Sequence, residues 1–300
     1  MFLENIPLIV LCLGSFFGLG IANGILKIST DGRGIFKTLI TRDIVSILIL
    51  LPFFLKVFKE TNWEFLPIAI AIGLGIILAV ASFNFSTAIR IGNAGVVSAV
   101  GNSYVFLTIG LSTLFLKEGL TSLQIGLGLI TILGVILLSL KNGKNKSNKV
   151  SFHKGVPRAL VAMFIWAGMY AIIIYPISKI GIFPTAFLMT SSILTSITVI
   201  SLIKGFDKPK NTHKFNFSKT SLLLINILIG ILVSISLIFL VLAVQRNQVG
   251  LMSVFTGANP IIVVVFGLIF YNKVQEKLTL RQWTGLFISI TAIIFLSLLK

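Results

Sequence analysis

The stretches EGLTSLQ (Glu118–Gln124) and EKLTLRQ (Glu276–Gln282) share the pattern E-x-L-T-x-x-Q and lie 158 positions apart. Upstream of these motifs the match continues at a shift of 155 positions, and it pairs Gly95 with Gly250. Chance matches of Leu and Ser are expected in apolar sequence, but a shared seven-residue pattern in the same place is harder to obtain by chance. The sequence therefore consists of two related halves.

The composition is that of a protein that lies mostly in a lipid bilayer. Hydrophobic residues make up 56% of the chain, charged residues 11%, and the mean hydropathy is +1.05. An average soluble chain has about 45–50% apolar and roughly 25% charged residues. The net charge of +17 lies between the apolar runs, where basic loops meet lipid headgroups. We expect a multi-pass protein of the cell membrane with lipids as partners, and no nucleic-acid binding.

Ten apolar runs are long enough to cross the hydrocarbon as helices, which takes about 20 residues. They do not alternate as the strands of a membrane barrel would, so the predicted fold is all-α. The predicted spans are 6–26, 36–56, 65–89, 94–116, 122–140, 156–175, 181–203, 220–244, 249–271 and 279–299.

The repeat divides the chain into residues 1–140 and residues 156–300, separated by a basic linker at 141–155. Each half contains five predicted spans. An odd number of spans starts the second copy from the opposite side of the membrane, so the two halves must be inverted. Inverted repeats are the plan of many secondary transporters, whose binding site lies at the repeat interface near the middle of the bilayer.

The chain resembles a known family, the drug/metabolite transporter superfamily in its ten-span form with two EamA-type repeats. The resemblance rests on FFGLGIANGILK (16–27), Arg42, STAIRIGNAGVVSAV (86–100) and the segments 114–138, 241–270 and 276–295. It implies a secondary carrier of small metabolites, often for amino-acid export or drug efflux. The first half departs from the family pattern, because it lacks the mid-helix proline and has Val105 at the position that corresponds to Pro260.

Other functions have little support in the sequence. There is no phosphate-binding G-x-x-x-x-G-K-[S/T] loop and no H-E-x-x-H motif, and both histidines fall in polar loops. We therefore expect no cofactor, no metal and no enzyme activity. Two alternatives stay open: an intramembrane enzyme, which a group of His, Asp or Cys in a cavity would favour, and a scaffold, which a filled cavity would favour.

Spans 4 and 9 carry matched interruptions. Gly101 corresponds to Thr256 by the shift of 155, and Gly257 and Pro260 follow closely. Glycine weakens a helix and proline bends it, and corresponding interruptions in two halves are typical of a transporter binding site. We predict hinges at Gly101, Gly257 and Pro260, with close helix packing as the alternative explanation.

Several polar or amphipathic residues are predicted at a similar depth in the membrane. Amide and hydroxyl groups at mid-membrane need partners or water, and a cavity provides both. Hydrogen bonding between helices is the alternative. The predicted substrate-binding residues of this type are Asn84, Asn102, Tyr104, Trp166, Tyr170 and Asn259.

Span 2 contains two adjacent charged residues, Arg42 and Asp43. They lie six and seven residues inside the span, roughly 10 Å below the surface. Adjacent helical residues point about 100° apart, so we expect that the two do not simply neutralise each other and that each faces a partner helix or a wet cavity. The equivalent stretch of span 7, FPTAFLMTSS (183–192), has no charge. We predict that Arg42 binds an anionic group such as a substrate carboxylate, and that Asp43 either holds the neighbourhood of Arg42 in shape or carries a coupled proton.

Two arguments on orientation conflict. The loops after spans 1, 3, 5, 7 and 9 carry 18 of the 25 Lys and Arg residues, and the opposite side carries 6, leaving Arg42 out. The positive-inside rule places the basic loops in the cytoplasm. The family resemblance implies the reverse orientation, with both termini inside.

Overall fold

The computed structural model of the protein describes residues 7–116, 121–139, 154–209, 217–245, 255–270 and 279–298. Every regular element in these ranges is helical. The helices are α1 (Leu8–Arg33), α2 (Ile35–Val57), α3 (Phe65–Ile91), α4 (Ala94–Asn102), α5 (Tyr104–Leu116), α6 (Ser122–Ser139), α7 (Val156–Ile172), α8 (Ile174–Ile180), α9 (Ile182–Lys204), α10 (Lys219–Gln245), α11 (Pro260–Phe270) and α12 (Leu280–Leu298).

Six helical segments of the described residues are long and apolar enough to cross a membrane. The predicted all-helical, multi-pass membrane protein is therefore confirmed, and six of the ten predicted spans meet this criterion within the described part of the chain. The six segments are Val10–Arg33, Ile35–Val57, Phe65–Ile91, Val156–Ile180, Ile182–Lys204 and Lys219–Ala243.

Two pairs of equivalent helices have the same length, and both halves contain the same turn. Helices α2 and α9 both have 23 residues, and α3 and α10 both have 27. Gly34 precedes α2 with φ 88° and ψ 161°, and Gly181 precedes α9 with φ 88° and ψ 170°. This backbone region is essentially restricted to glycine, so the same sharp turn joins the first and second segments of each half.

The helix packing is also similar when the two halves are exchanged, so that equivalent helices have equivalent neighbours. Helix α1 packs against α10, and α7, the equivalent of α1, packs against α3. Helix α3 packs against α9 as α10 packs against α2. The pairs α2–α9 and α6–α12 bring equivalent helices together across the boundary between the halves. The two halves are thus interlocked rather than side by side.

Many of the helices begin or end at two opposite ends of the bundle, where their termini contact one another. At the end that we call the Gly34 end, Asp207, which follows α9, accepts a hydrogen bond from the backbone N–H of Ile35 at the start of α2 (2.8 Å). There Lys27 near the end of α1 donates to the carbonyl of Gly92, which follows α3 (2.8 Å).

Equivalent helices run in opposite directions relative to this end. Gly155, directly before α7, packs against the carbonyl of Ala88 near the end of α3. Helix α7 therefore begins at the Gly34 end, whereas α1 finishes there. The opposite end, the Gly181 end, contains an open vestibule of about 870 Å³ between the ends of α2, α8 and α10 and the start of α9.

Helix α1 is longer than predicted, since it continues to Arg33 rather than stopping near residue 26. Ser29 and Thr30 in its last turns are buried, and their hydroxyl groups are hydrogen-bonded. Ser29 donates to the amide oxygen of Asn226 on α10, and its hydroxyl lies 2.9 Å from that of Thr38 on α2. Because tertiary partners satisfy these groups, polarity did not end the helix where the sequence suggested.

The T-x-x-Q part of the repeated motif caps a helix. The Gln282 side chain accepts a hydrogen bond from the backbone N–H of Thr279 (3.0 Å), and the Thr279 hydroxyl accepts one from the N–H of Gln282 (3.4 Å). This reciprocal capping box starts α12. In the first half, α6 likewise begins directly after Thr121. Glu118, Glu276 and most of the linker predicted at 141–155 lie outside the described residues.

Candidate functional site

A cavity of about 200 Å³ lies in the middle of the bundle, between helices of both halves. Its walls are mostly apolar, with a small number of polar groups, as is usual for small-molecule sites. The polar and aromatic residues that line it are Asn23, Arg42, Asp43, Ser46, Ser82, Phe85, Ser86, Asn102, Tyr104, Trp166, Tyr170, Thr190, Ser236 and Asn259. All the predicted substrate-binding residues except Asn84 are among them.

Arg42 and Asp43 form an ion pair in the cavity wall. The Nε of Arg42 donates to Oδ1 of Asp43 over 2.7 Å, and the two side chains are 13% and 3% exposed. The expectation that the two residues would not pair was wrong. Although their Cβ atoms diverge on α2, the long arginine side chain bends back far enough to reach its neighbour.

The pair leaves hydrogen-bonding capacity free. Oδ2 of Asp43 is buried without a hydrogen-bond partner. Arg42 makes only the Nε bond within the described part of the chain, so both terminal amino groups of its guanidinium are available. An unsatisfied buried carboxylate oxygen costs free energy unless a ligand or water bonds to it. The wall thus presents the two terminal amino groups of Arg42 as donors beside one carboxylate acceptor.

Aromatic side chains form a second part of the wall. The rings of Tyr104 and Tyr170 stack with centroids 5.1 Å apart, and their hydroxyls lie 3.2 Å apart. Trp166 packs edge-on against Tyr104 at 5.9 Å and against Phe85 at 4.9 Å. These rings come from α3, α5 and α7, and they give the cavity a broad apolar surface with two hydroxyl groups.

The interruptions predicted in spans 4 and 9 face each other beside the cavity. Helix α4 ends at Asn102 and α5 begins at Tyr104, while a turn at Ala258 and Asn259 precedes α11. The Asn259 amide donates to the side-chain oxygen of Asn102 (3.0 Å), and the Tyr104 hydroxyl lies 2.7 Å from that of Thr256. Amide and hydroxyl pairs thus join the two breaks, although only the second contains proline.

The predicted hinge glycines lie at points of close approach. A methyl group on Gly101 would meet the rings of Phe85 and Trp166, and one on Gly257 would overlap Val105 of the opposite half. Pro260 is the first residue of α11, where a missing N–H is tolerated. Both features accommodate close packing and mark the helix breaks, and the hinge role stays a prediction.

Asn84 lies outside the cavity. Its amide nitrogen donates to the carbonyl of Val80 on its own helix (2.9 Å), and its oxygen accepts from Arg158 near the start of α7 (3.3 Å). The next residue, Phe85, faces the cavity instead. The sequence interpretation did not find the face of α3 on which Asn84 lies.

Several lining residues were missed by the sequence interpretation, among them Met189 and Thr190 on α9. A usable signal existed, because FPTAFLMTSS aligns Met189 with Arg42 and Thr190 with Asp43. Both equivalent pairs line the same cavity, one charged and one neutral. The other missed residues, such as Ser82 and Ser86, have no distinguishing sequence pattern.

The described residues around the cavity show no arrangement that points to enzyme chemistry. Within the described ranges, no three or more His, Cys, Asp or Glu side chains are close enough to hold a metal ion. The cavity is also not filled by side chains, which was the observation that would have favoured a scaffold.

Comparisons with known proteins agree with this architecture. One solved crystal structure of another protein superposes with a TM-score of 0.65 over 96% of each chain at 14% sequence identity, which shows a shared fold. In all, 27 chains of solved structures match, whereas no curated protein sequence does. The family model of the EamA-like transporter family matches residues 6–140 and again residues 153–298. The chain belongs to the EamA-like transporter family.

Proposed function

We propose that the protein is a secondary transporter of a small amphipathic metabolite that carries both an amino group and a carboxylate, such as an amino acid. The observation that carries this proposal is the Arg42–Asp43 pair in the cavity wall, with two free guanidinium amino groups and one unpartnered carboxylate oxygen. Arginine binds carboxylates through two parallel N–H groups, and Asp43 Oδ2 is an acceptor for an ammonium group. The aromatic wall suits an apolar side chain.

In this proposal the chain forms ten spans in two inverted repeats. Helices α4 and α5 make one span, α7 and α8 another, and residues 255–270 belong to a third. The opposite directions of α1 and α7 at the Gly34 end and the exchanged packing of the halves support the inversion. Rocking of the repeats would open the cavity alternately to each side, with export as the net direction.

The surroundings of Asp43 also support a role for this residue in coupling transport to a proton or a counter-substrate. Its carboxylate is buried beside a permanently charged guanidinium and has one free oxygen. Either a proton on this group or a counter-substrate in the cavity could drive transport. A proton gradient that accelerates uptake into liposomes, and does so less in Asp43→Asn, would identify the proton. Acceleration only by internal amino acid would identify exchange.

The function is tested with purified protein in liposomes and a panel of labelled amino acids, without ATP. We expect flux for at least one apolar amino acid. Its methyl ester and its N-acetyl derivative should each compete poorly, because each removes one of the two charges. Arg42→Ala should lose carboxylate recognition, so it should discriminate less against the ester.

Three outcomes would overturn the proposal. Competition by the ester and by the N-acetyl derivative as strong as that of the amino acid itself would show that the charged pair does not recognise a zwitterion. No flux and no binding across the panel would favour the scaffold alternative, and chemical conversion of a panel compound would favour the intramembrane enzyme.

A further inference from the structure

A cluster centred on Asp207, the third residue after α9, joins helix ends at the Gly34 end. The Asp207 carboxylate accepts hydrogen bonds from the backbone N–H groups of Ile35 (2.8 Å) and Phe36 (3.1 Å) and forms an ion pair with Arg90 at the end of α3. Arg90 also donates to the carbonyl of Lys208 over 2.6 Å. A residue of the second half thus binds α2 and α3 of the first half at once.

An apolar layer lies next to this cluster. Ile35, Phe36, Leu39, Ala79 and Ile197 pack together from α2, α3 and α9, and Leu39 and Ile197 are completely buried. Ile193, which packs against this layer, lines the central cavity. The layer therefore lies between the cavity and the Asp207 cluster.

The Gly181 end differs at the equivalent place. Helix α9 begins after Gly181 with the same turn that precedes α2, but among the described residues no side chain bonds to the first N–H groups of α9 as Asp207 does at α2. The start of α9 lines the open vestibule instead, together with the ends of α2, α8 and α10. When the two halves are exchanged, the start of α9 corresponds to the start of α2, and the ends of α2, α8 and α10 correspond to the ends of α9, α1 and α3. The vestibule therefore corresponds to the place of the Asp207 cluster.

We propose that Asp207 is a lock that holds the Gly34 end closed, and that its bonds to α2 and Arg90 must break before the cavity opens at that end. The repeat supplies the reason: the opening present at the Gly181 end has its counterpart where Asp207 joins the three elements. A carboxylate at a helix N-terminus with an arginine partner is a strong but separable contact, since each bond is charge-assisted and partly accessible to water. This inference rests on the proposed alternating access.

The test measures accessibility rather than transport, so that its failure differs from failure of the transport proposal. In a Cys12→Ala background, Ile197→Cys reports on the closed end and Phe183→Cys on the vestibule. Each is combined with Asp207→Asn, because Asn still caps a helix but cannot pair ionically with Arg90. Reaction with a charged methanethiosulfonate reagent is followed in detergent. Glu64→Gln removes one acid outside the cluster and serves as the matched control.

We expect Asp207→Asn to raise the reaction rate of Ile197→Cys about tenfold, in keeping with loss of a charge-assisted contact, and to lower that of Phe183→Cys. Glu64→Gln should change neither rate. If Asp207→Asn does not fold, Arg90→Gln, which leaves the cap of α2 intact, takes its place with the same expectation.

Unchanged reactivity of Ile197→Cys in the folded variant would overturn the lock. A rise at both reporters would overturn it as well, because that pattern means general loosening rather than a shift between two states. If the liposomes show flux and the cysteine reactivity is unchanged, the transport proposal stands and the lock does not. If the reactivity shifts and the liposomes show no flux, the lock stands and the transport proposal does not.

Discussion

Helices α2 and α9 occupy equivalent places in the two halves, and they differ in where they carry charge. They have equal length and follow the same glycine turn, and both line the central cavity. At matching positions α2 presents Arg42 and Asp43, whereas α9 presents Met189 and Thr190. The shared features are those that build the fold. The differences are not needed for folding, so they are where function is expected.

The largest effect should come from removing the charges of α2. We expect Arg42→Ala and Asp43→Asn each to reach the membrane normally and to lose transport by about 10- to 100-fold, because a hydrogen bond to a charged group contributes about 1.5–3 kcal/mol. Initial rates in liposomes measure this. The matched variants Met189→Ala and Thr190→Ala should change the rates far less. Full activity of both charge variants, with unchanged pH dependence, would reduce the pair to an anchor of α2.

A smaller effect is expected at the helix break that only the second half marks with proline. Pro260→Ala adds a backbone N–H at the first residue of α11 and lets the helix extend through the turn. We expect the protein to fold and turnover to fall several-fold. Pro184→Ala, in the first turn of α9 where proline is tolerated, should have little effect. Equal kinetics of the two variants would assign Pro260 to packing.

The two glycine turns allow a direct comparison of stability. Alanine at Gly34 or Gly181 must adopt a glycine backbone region at a cost of about 1–3 kcal/mol. At Gly34 the new Cβ would also lie 2.7 Å from the carbonyl oxygen of Asp207, whereas at Gly181 the nearest atom is 3.8 Å away. We therefore expect the lower melting temperature for Gly34→Ala.

Cys12 provides the measurement for this pair of variants. It is a free and fully buried cysteine, so a maleimide dye reacts with it only as the protein unfolds. Equal melting temperatures would mean that the backbone at Asp207 moves away without cost and that the Gly34 end is less tightly packed than described.

The smallest effect is expected at Asn84. Because its amide bonds to Val80 and Arg158 outside the cavity, Asn84→Ala should leave transport unchanged. Asn102→Ala, which removes a cavity-lining amide bonded to Asn259, should reduce it. A marked loss in Asn84→Ala would show that the polar path extends to the face of α3 toward α7.

The sequence by itself determined the membrane setting, the all-helical class, the two halves and most helix boundaries. These depend on apolar length and on local capping, as with the T-x-x-Q box before α12, and both are properties of neighbouring residues. All but one of the residues that were proposed for binding from the sequence line one cavity, because polar groups at mid-membrane need partners.

Only the tertiary structure decided what depends on partners distant in sequence. The last turns of α1 stay helical because Asn226 and Thr38 satisfy Ser29. Arg42 pairs with Asp43, and Asn84 faces away from the cavity, because side-chain direction is set by packing and not by spacing. Asp207 lies in the basic stretch that follows α9, and its bonds to Ile35 and Arg90 exist only because the interlocked halves bring those helix ends together.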